Sequence, residues 1–486
     1  MDPYPIDDDQ AISRRRWLTS TAAGLQAAVL TDLFSKDIYG METPQIRSTY
    51  DLKPQPTHHE PKAKSIIHLF MNGGPSQMDL FDPKPELDKR HGQPYFSELA
   101  SEVENPTAAG ALMKCPYKFS QHGESGQWVS DALPHTAEIV DELAVIKSMY
   151  TTNLTHEPAL FKIHGGQELP GMPSIGAWVS YGLGTENQNL PAYVVLDDPL
   201  GLPVNQSQSW QSGFLPPVYQ GTRFRSTGEP VLNLSRDFEQ TDQVTSLEQE
   251  LIAGLDRIHK SRRPRQLRLD ARMASYELAA RMQLEATDAL DIAKETQETL
   301  DMYGIGEDTT DSYGRRCLYA RRLVERGVRY VQLYINFQIW DNHTGLTAGC
   351  KGACDRTDRP IAGLIRDLKQ RGLLDSTLVV WGGEFGRLPI AQLPANKDTA
   401  NAGRDHNKNA MITWMAGGGV KPGVSIGATD ELGFAAVEDR ISVADWHATI
   451  LHQLGLNYEH LYFERNGLKD RLTSVEEAHL IKSILK

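Results

Sequence analysis

The chain has 486 residues, of which 40% are hydrophobic and 23% charged, ample for a large packed core. A formal net charge of -13 excludes the broadly basic surface of a nucleic-acid-binding protein, so no nucleic-acid partner is expected. Four cysteines are too few for a disulfide scaffold in a chain of this length.

The N-terminal region carries Ser13-Arg14-Arg15-Arg16-Trp17-Leu18, followed by mildly apolar residues 19–34. Consecutive arginines in this position, with the aromatic and the leucine, are similar to a twin-arginine export signal; a short amphipathic helix is the plainer alternative. Residues 1–40 are read as this signal region, which implies a periplasmic or extracellular protein. Residues 41–64 are rich in proline and histidine and read as a linker. Further along, no run approaches ~18 apolar residues, so no membrane span is expected in the mature chain.

The first strand is expected at residues 65–71 (SIIHLFM), stopped by Asn72-Gly73-Gly74-Pro75. Further strands are expected at 192–196, 328–335, 378–381 and 411–415. Helices are expected at 315–326 and 360–371, ended by Gly327 and Gly372. Helix alternating with strand across 315–381 predicts a parallel α/β sheet covered by helices. Residues 243–303 are charged and helical with no strand signal, which predicts a helical insertion: a cap, or a solvated hairpin without a chemical role. Cys350 and Cys354 lie in GCKGACD, a spacing that could close a small disulfide loop, with two free thiols as the alternative.

Sites in parallel α/β sheets form at the C-terminal ends of the strands. Five polar clusters stand at such places. Asn72 and Asp79 follow the first strand and offer a carbonyl oxygen and a carboxylate, with glycines that let backbone approach a ligand. Thr155 and His156 open a helix that ends near Gly165-Gly166. The amides and dipole of that helix start suit attack on an anionic centre, while plain N-capping by Thr155 is the alternative. Asp341 and His343, two apart, share a face on extended chain and make a plausible metal pair. Glu384 sits between glycines at a strand end, as a ligand carboxylate or as the partner of Arg387 in a surface salt bridge. Arg404, Asp405 and His406 precede the last strand and could supply an anion clamp and ligands, or form an ordinary charged loop. Taken together, these oxygen and nitrogen donors point to one divalent metal, zinc, calcium or manganese. Asp341, His343, Glu384 and His406 are expected in one shell, Asn72 or Asp79 completing it and Asp405 ligating or orienting His406.

The motifs MNGGPSQMDLFDPKPEL, YGRRCLYARRLVERGVRYVQLY, WDNH, WGGEFGRLP, GRDHN, MAGGGVKPG and DWHATILHQLGL occur in this order. They resemble the exported bacterial proteins grouped as domain of unknown function 1501 and, through them, the alkaline phosphatase and sulfatase superfamily. The resemblance runs from the leader to the C-terminus. It implies an alkaline-phosphatase-like α/β fold over residues 65–486, a largely parallel sheet with helices on both faces. It also implies metal-dependent hydrolysis of sulfate, phosphate or related esters, on a small-molecule or polysaccharide substrate. By the same resemblance, Asn72 matches the metal-binding acid after the first strand. His156 lies where sulfatases carry their modified cysteine, and Glu384 takes the acid position of an S-D-H-G segment. Two departures matter. There is no C-x-P-S-R motif, and Phe385 stands where a histidine or asparagine ligand would be, so a single metal fits better than a two-zinc site. Thr155 or His156 would attack, or a metal-bound water would, with Arg387 and Arg404 stabilising the anionic transition state. The competing expectation is a non-catalytic exported binding protein with a remodelled site.

Replacing Arg14 and Arg15 by lysine is expected to block export, because the receptor reads the arginine pair as an address. Cell fractionation of the double variant checks this, and undiminished export contradicts it.

Overall fold

The computed structural model describes residues 51–225, 241–263 and 267–486; the leader and residues 41–50 of the expected linker lie outside them. The strands that build the central sheet and the site are β1 (Ser65–Phe70), β2 (Ala109–Leu112), β3 (Leu143–Tyr150), β4 (Tyr193–Leu196), β5 (Thr222–Phe224), β6 (Tyr330–Tyr334), β7 (Thr377–Gly382), β8 (Gly386–Gln392), β9 (Gly403–Asn407), β10 (Met411–Ala416), β11 (Val424–Ile426) and β12 (Ile441–Ser442). All six residues of β1 are buried, as an uninterrupted strand covered on both faces requires. β1 pairs in parallel with β6 on one side and β7 on the other. The nine-stranded sheet runs β11-β3-β10-β7-β1-β6-β4-β5, with β12 also beside β3. Its pairs are parallel except those of β10, which is antiparallel to both β7 and β3. The fold is therefore mixed α/β with a mostly parallel central sheet.

All five expected strands are present, with ends shifted by one or two residues. β3 was not anticipated: Lys147 and Ser148 interrupt its apolar run, LAVIKSMY, even though Ser148 is buried. A second, antiparallel sheet runs β9-β8-β2. It holds Arg387 and the whole of Gly403–Asn407, residues expected in loops. Five consecutive polar or small residues read as a loop, yet all five are buried because their polarity is satisfied inside. Arg404 shows how. Its side chain and that of Asp79 are both fully buried, and two of its N–H groups donate to the Asp79 carboxylate at 2.7 and 3.0 Å. Further N–H groups reach the carbonyls of Leu388 and Met113.

The main helices are α1 (His156–Gly165), α2 (Ile175–Leu183), α3 (Asp242–Ser261), α4 (Leu267–Leu290), α5 (Asp311–Glu325), α6 (Leu346–Gln370) and α7 (Val443–Gln453). α6 begins well ahead of the expected start, and Pro360 lies inside it. Cys350 and Cys354 consequently stand one turn apart on α6, as buried free thiols rather than the expected disulfide. Side chains four apart on a helix have Cβ atoms about 5–6 Å apart, whereas a disulfide needs about 3.5–4.5 Å. Residues 243–303, the expected helical insertion, carry α3, α4 and a short helix at Gln297–Met302; α4 packs on α5, and its Met282, Ala286 and Ala289 are buried. Residues 51–64 lie against the sheet domain: Leu52 and Ala63 are buried, and the amides of Lys62 and Ala63 both donate to the Gln453 carbonyl. No helix among the described residues is long and apolar enough to cross a membrane.

Arg404→Ala would leave the Asp79 carboxylate buried without its cation. The expected loss of stability is about 3–5 kcal/mol, read from a denaturant-unfolding midpoint. A loss below about 1 kcal/mol, the level of an exposed ion pair, would contradict this role.

Candidate metal centre

Adjacent parallel strands end side by side. Asn72 and Gly73 leave β1, Glu384 leaves β7, and Asp341 follows β6, so three neighbouring strands feed one edge. β10 runs the other way and therefore starts at that edge. β9 leads into it, which is why His406 arrives before a strand instead of after one. His156 is the first residue of α1, in the segment that leaves β3.

Asp341 is the point where these side chains meet. Its Oδ1 lies 3.0 Å from His343 Nε2, 3.2 Å from His406 Nε2 and 2.8 Å from an Arg387 guanidinium nitrogen. Its Oδ2 lies 3.2 Å from His156 Nε2. The potential ligand atoms of His156, Asp341, His343 and His406 all fall within 4.8 Å of one another. Backbone makes this approach possible at Gly73, at φ +103°, where a Cβ would stand 2.6 Å from the Asp341 nitrogen.

The far sides of the His156 and His343 rings are also held, and an acidic side chain stands beside that of His406. His156 Nδ1 lies 2.7 Å from Glu384 Oε1, which also accepts the Gly73 amide at 3.0 Å. His406 Nδ1 lies 2.6 Å from Glu104 Oε2. His343 Nδ1 faces the Gln392 side-chain oxygen. A ring whose Nδ1–H donates to an oxygen directs the Nε2 lone pair outward, the arrangement that metal-ligating histidines use. Three nitrogens and a carboxylate suit zinc or manganese; calcium prefers an all-oxygen shell. Asn72 Nδ2 donates to the Ile335 carbonyl at 2.6 Å, while its buried Oδ1 has no hydrogen-bond partner among the described residues.

Burial alone would push the Asp341 carboxyl up, but Arg387 and the three histidines hold it well below the usual carboxylate range. Burial lowers the His156 pKa, and the Asp341 and Glu384 carboxylates outweigh it, raising it from 6.5 to about 9. His343 is likewise raised, Asp341 overcoming its burial. Glu104 is lowered, chiefly by His406.

The residues expected at the site do not all meet. Asp341, His343 and His406 meet directly. Glu384, Asp405 and Arg387 stand one contact behind them. Glu384 holds His156. Asp405 accepts the amides of His406 and Asn105, at 2.9 and 3.0 Å, and with Glu104 and His406 forms a second group of potential ligands. Arg387 is buried and donates to the carbonyls of Gly73, Gly74, Trp340 and Arg404 as well as to Asp341, so it positions the Asp341 carboxylate. Asp79 and Arg404 are bound to each other beneath β8 and β9, which leaves neither available as ligand or anion clamp. Thr155 sits at the α1 N-cap position but makes no side-chain cap bond; its hydroxyl instead lies 3.3 Å from Glu104 Oε1. His156, expected as a nucleophile, has its Nε2 among the potential ligands. The Phe385 ring packs on His156 and His406, with centroids 4.8 and 4.4 Å away, and forms the apolar wall of the cluster. Glu104 and Gln392 went unnoticed in the sequence, because neither borders a strand of the main sheet.

With no metal bound, His156 is charged at neutral pH. The stability from its two ion pairs is fully present below about pH 6.5 and lost as the pH rises through about 9. The His156 ring resonances in NMR should titrate near 9; a midpoint near 6.5 would contradict the arrangement.

Among solved structures, the chain is similar to the lipoteichoic acid synthase LtaP of Listeria monocytogenes: 10% identity, 84% of this chain and 76% of that one, TM-score 0.37. It is also similar to an alkaline phosphatase from the Antarctic bacterium TAB5, at 12% identity, 74% and 92% coverage and TM-score 0.32. For the PsFucS1 sulfatase of Pseudoalteromonas sp. the values are 13%, 82%, 68% and 0.33. No curated protein sequence matches significantly. The sequence profile described as Protein of unknown function (DUF1501) spans residues 63–485, nearly all of the chain beyond its N-terminal segment, and the protein belongs to that family.

Proposed function

We propose that this protein is a metal-dependent hydrolase of phosphate, sulfate or related esters, small-molecule or polysaccharide-borne, that acts outside the cytoplasm. The observation that carries the reading is the convergence of three histidine Nε2 atoms on the Asp341 carboxylate, with the His156 and His343 rings each held from behind by an oxygen acceptor and a Glu104 carboxylate oxygen beside His406 Nδ1. Asp341, His156, His343 and His406 would hold the ion, which would supply Lewis acidity toward an ester oxygen. The arginine-rich leader supports the location.

The remaining roles belong to side chains around that cluster. Thr155 stands at the start of α1, where the helix dipole favours an anionic group. As the Thr155 oxygen bonds to phosphorus or sulfur, its proton passes to Glu104 and the ester oxygen departs with the bonding pair. His406 keeps Glu104 ionised and therefore able to accept that proton. His343, about one-third exposed, is the ligand most open to an arriving substrate.

The test is a panel of aryl phosphate, phosphonate and sulfate esters with zinc or manganese added. Asp341→Asn and His406→Ala should each weaken metal binding by more than ~10-fold and remove turnover. Glu104→Gln should lower kcat by ~100-fold or more with little change in metal affinity, and Thr155→Ala should abolish turnover while still binding metal. A wild-type protein that binds neither metal would contradict the reading, as would full turnover in Asp341→Asn.

A further inference from the structure

Among the described residues, helix α3 leaves its apolar side exposed. It starts at Thr241, whose hydroxyl accepts from the Val244 amide, and runs for 20 residues. Val244, Leu247, Leu251, Leu255 and Ile258 are spaced 3, 4, 4 and 3 apart. At about 100° per residue they fall within an arc of about 80°. Their exposures lie between 45% for Val244 and 63% for Leu251, and neighbouring Ile252 is 58% exposed. The half-buried residues Ala253, Asp256 and Lys260 occupy the far side, and α3 packs against α4. An ordinary surface helix has the reverse arrangement, apolar inward and polar outward.

The order of the stripe reads the same in both directions about Leu251. If a second α3 is laid antiparallel across it, Leu251 meets Leu251, Leu247 meets Leu255 and Val244 meets Ile258. This is the self-complementarity that a two-fold interface requires. Charge selects the same direction. Outside that far side, where Asp256 and Lys260 lie, Glu248 and Glu250 precede the midpoint, whereas Arg257, Arg262 and Arg263 follow it. Antiparallel alignment places the acidic half of one helix beside the basic end of the other, while parallel alignment sets like charges together. Gly254 borders the stripe, and a Cβ there would meet nothing within 4 Å, so the second backbone can come close.

We infer that α3 is a self-association surface on which a second copy of this chain docks antiparallel, with Leu251 on the two-fold axis. The acidic half of the helix disfavours the other use of an amphipathic helix, lying on an anionic membrane, which calls for a polar face rich in lysine and arginine.

Sedimentation of the full chain across a concentration series tests the inference. The wild type should pass from 54.2 kDa to twice that mass, and Leu251→Glu, which sets two carboxylates together on the axis, should stay monomeric at every concentration. Cysteine variants test the direction. Under mild oxidation Leu251→Cys should form a covalent dimer. Leu247→Cys alone should not, but an equimolar mixture of Leu247→Cys and Leu255→Cys should. A wild type that remains monomeric at the highest concentration overturns the inference. So does cross-linking of Leu247→Cys as readily as Leu251→Cys. A monomeric wild type that binds phosphatidylglycerol vesicles through the same leucines would assign the stripe to a membrane instead.

Discussion

The Asp341 carboxylate faces three imidazoles and a guanidinium across distances of 2.8–3.2 Å, and the arrangement of the whole strand edge follows from that crowding. One carboxylate cannot neutralise four potential cations. Glu384 and Glu104 therefore stand behind His156 and His406 as further negative charge. Protons on the Nε2 atoms can balance the carboxylates in the metal-free protein, and the raised His156 pKa reflects this. A divalent ion would replace those protons at the same atoms, so binding would release protons and strengthen as the pH rises.

Such a cluster needs support from rigid chain. Arg387 supplies much of it: a single guanidinium joins the β1 exit at Gly73 and Gly74, the segment after β6 at Trp340 and Asp341, and β9 at Arg404. Beneath it, the buried Asp79–Arg404 pair ties the start of the chain after β1 to the small antiparallel sheet. Buried ions of this kind are stable only when nearly all their hydrogen-bonding groups are used, and Arg404 meets that condition through two bonds to one carboxylate and three main-chain carbonyls. Both arginines thus hold the frame around the cluster.

Much of this was legible in the sequence, for identifiable reasons. Short apolar runs, stopped by glycine after β1 and β7 and preceded by Gly327 at β6, located these strands, and the rule that sites gather at strand ends pointed to Asp341, His343, Glu384 and His406. What failed was the reading of polarity as exposure. GRDHN looks like a loop, but Arg404 is fully buried because its partner Asp79 lies far away in sequence. Pro360 looked like a helix start, since proline favours first turns, but it lies within α6. The role of Glu104 depends on a tertiary contact with His406 that no local pattern encodes. His156 was noticed for its place at a helix start, yet its two nitrogens reach Asp341 and Glu384, residues far along the chain.

The central claim is that Asp341 and three histidine Nε2 atoms form one metal-binding shell. X-ray absorption at the zinc edge, on protein loaded with one equivalent of zinc, tests it most directly. The account predicts a first shell dominated by nitrogen at about 2.0–2.1 Å, with imidazole multiple scattering from three rings that falls to two in His343→Ala. A spectrum of hydrated zinc with no imidazole contribution, or one unchanged in that variant, would contradict it.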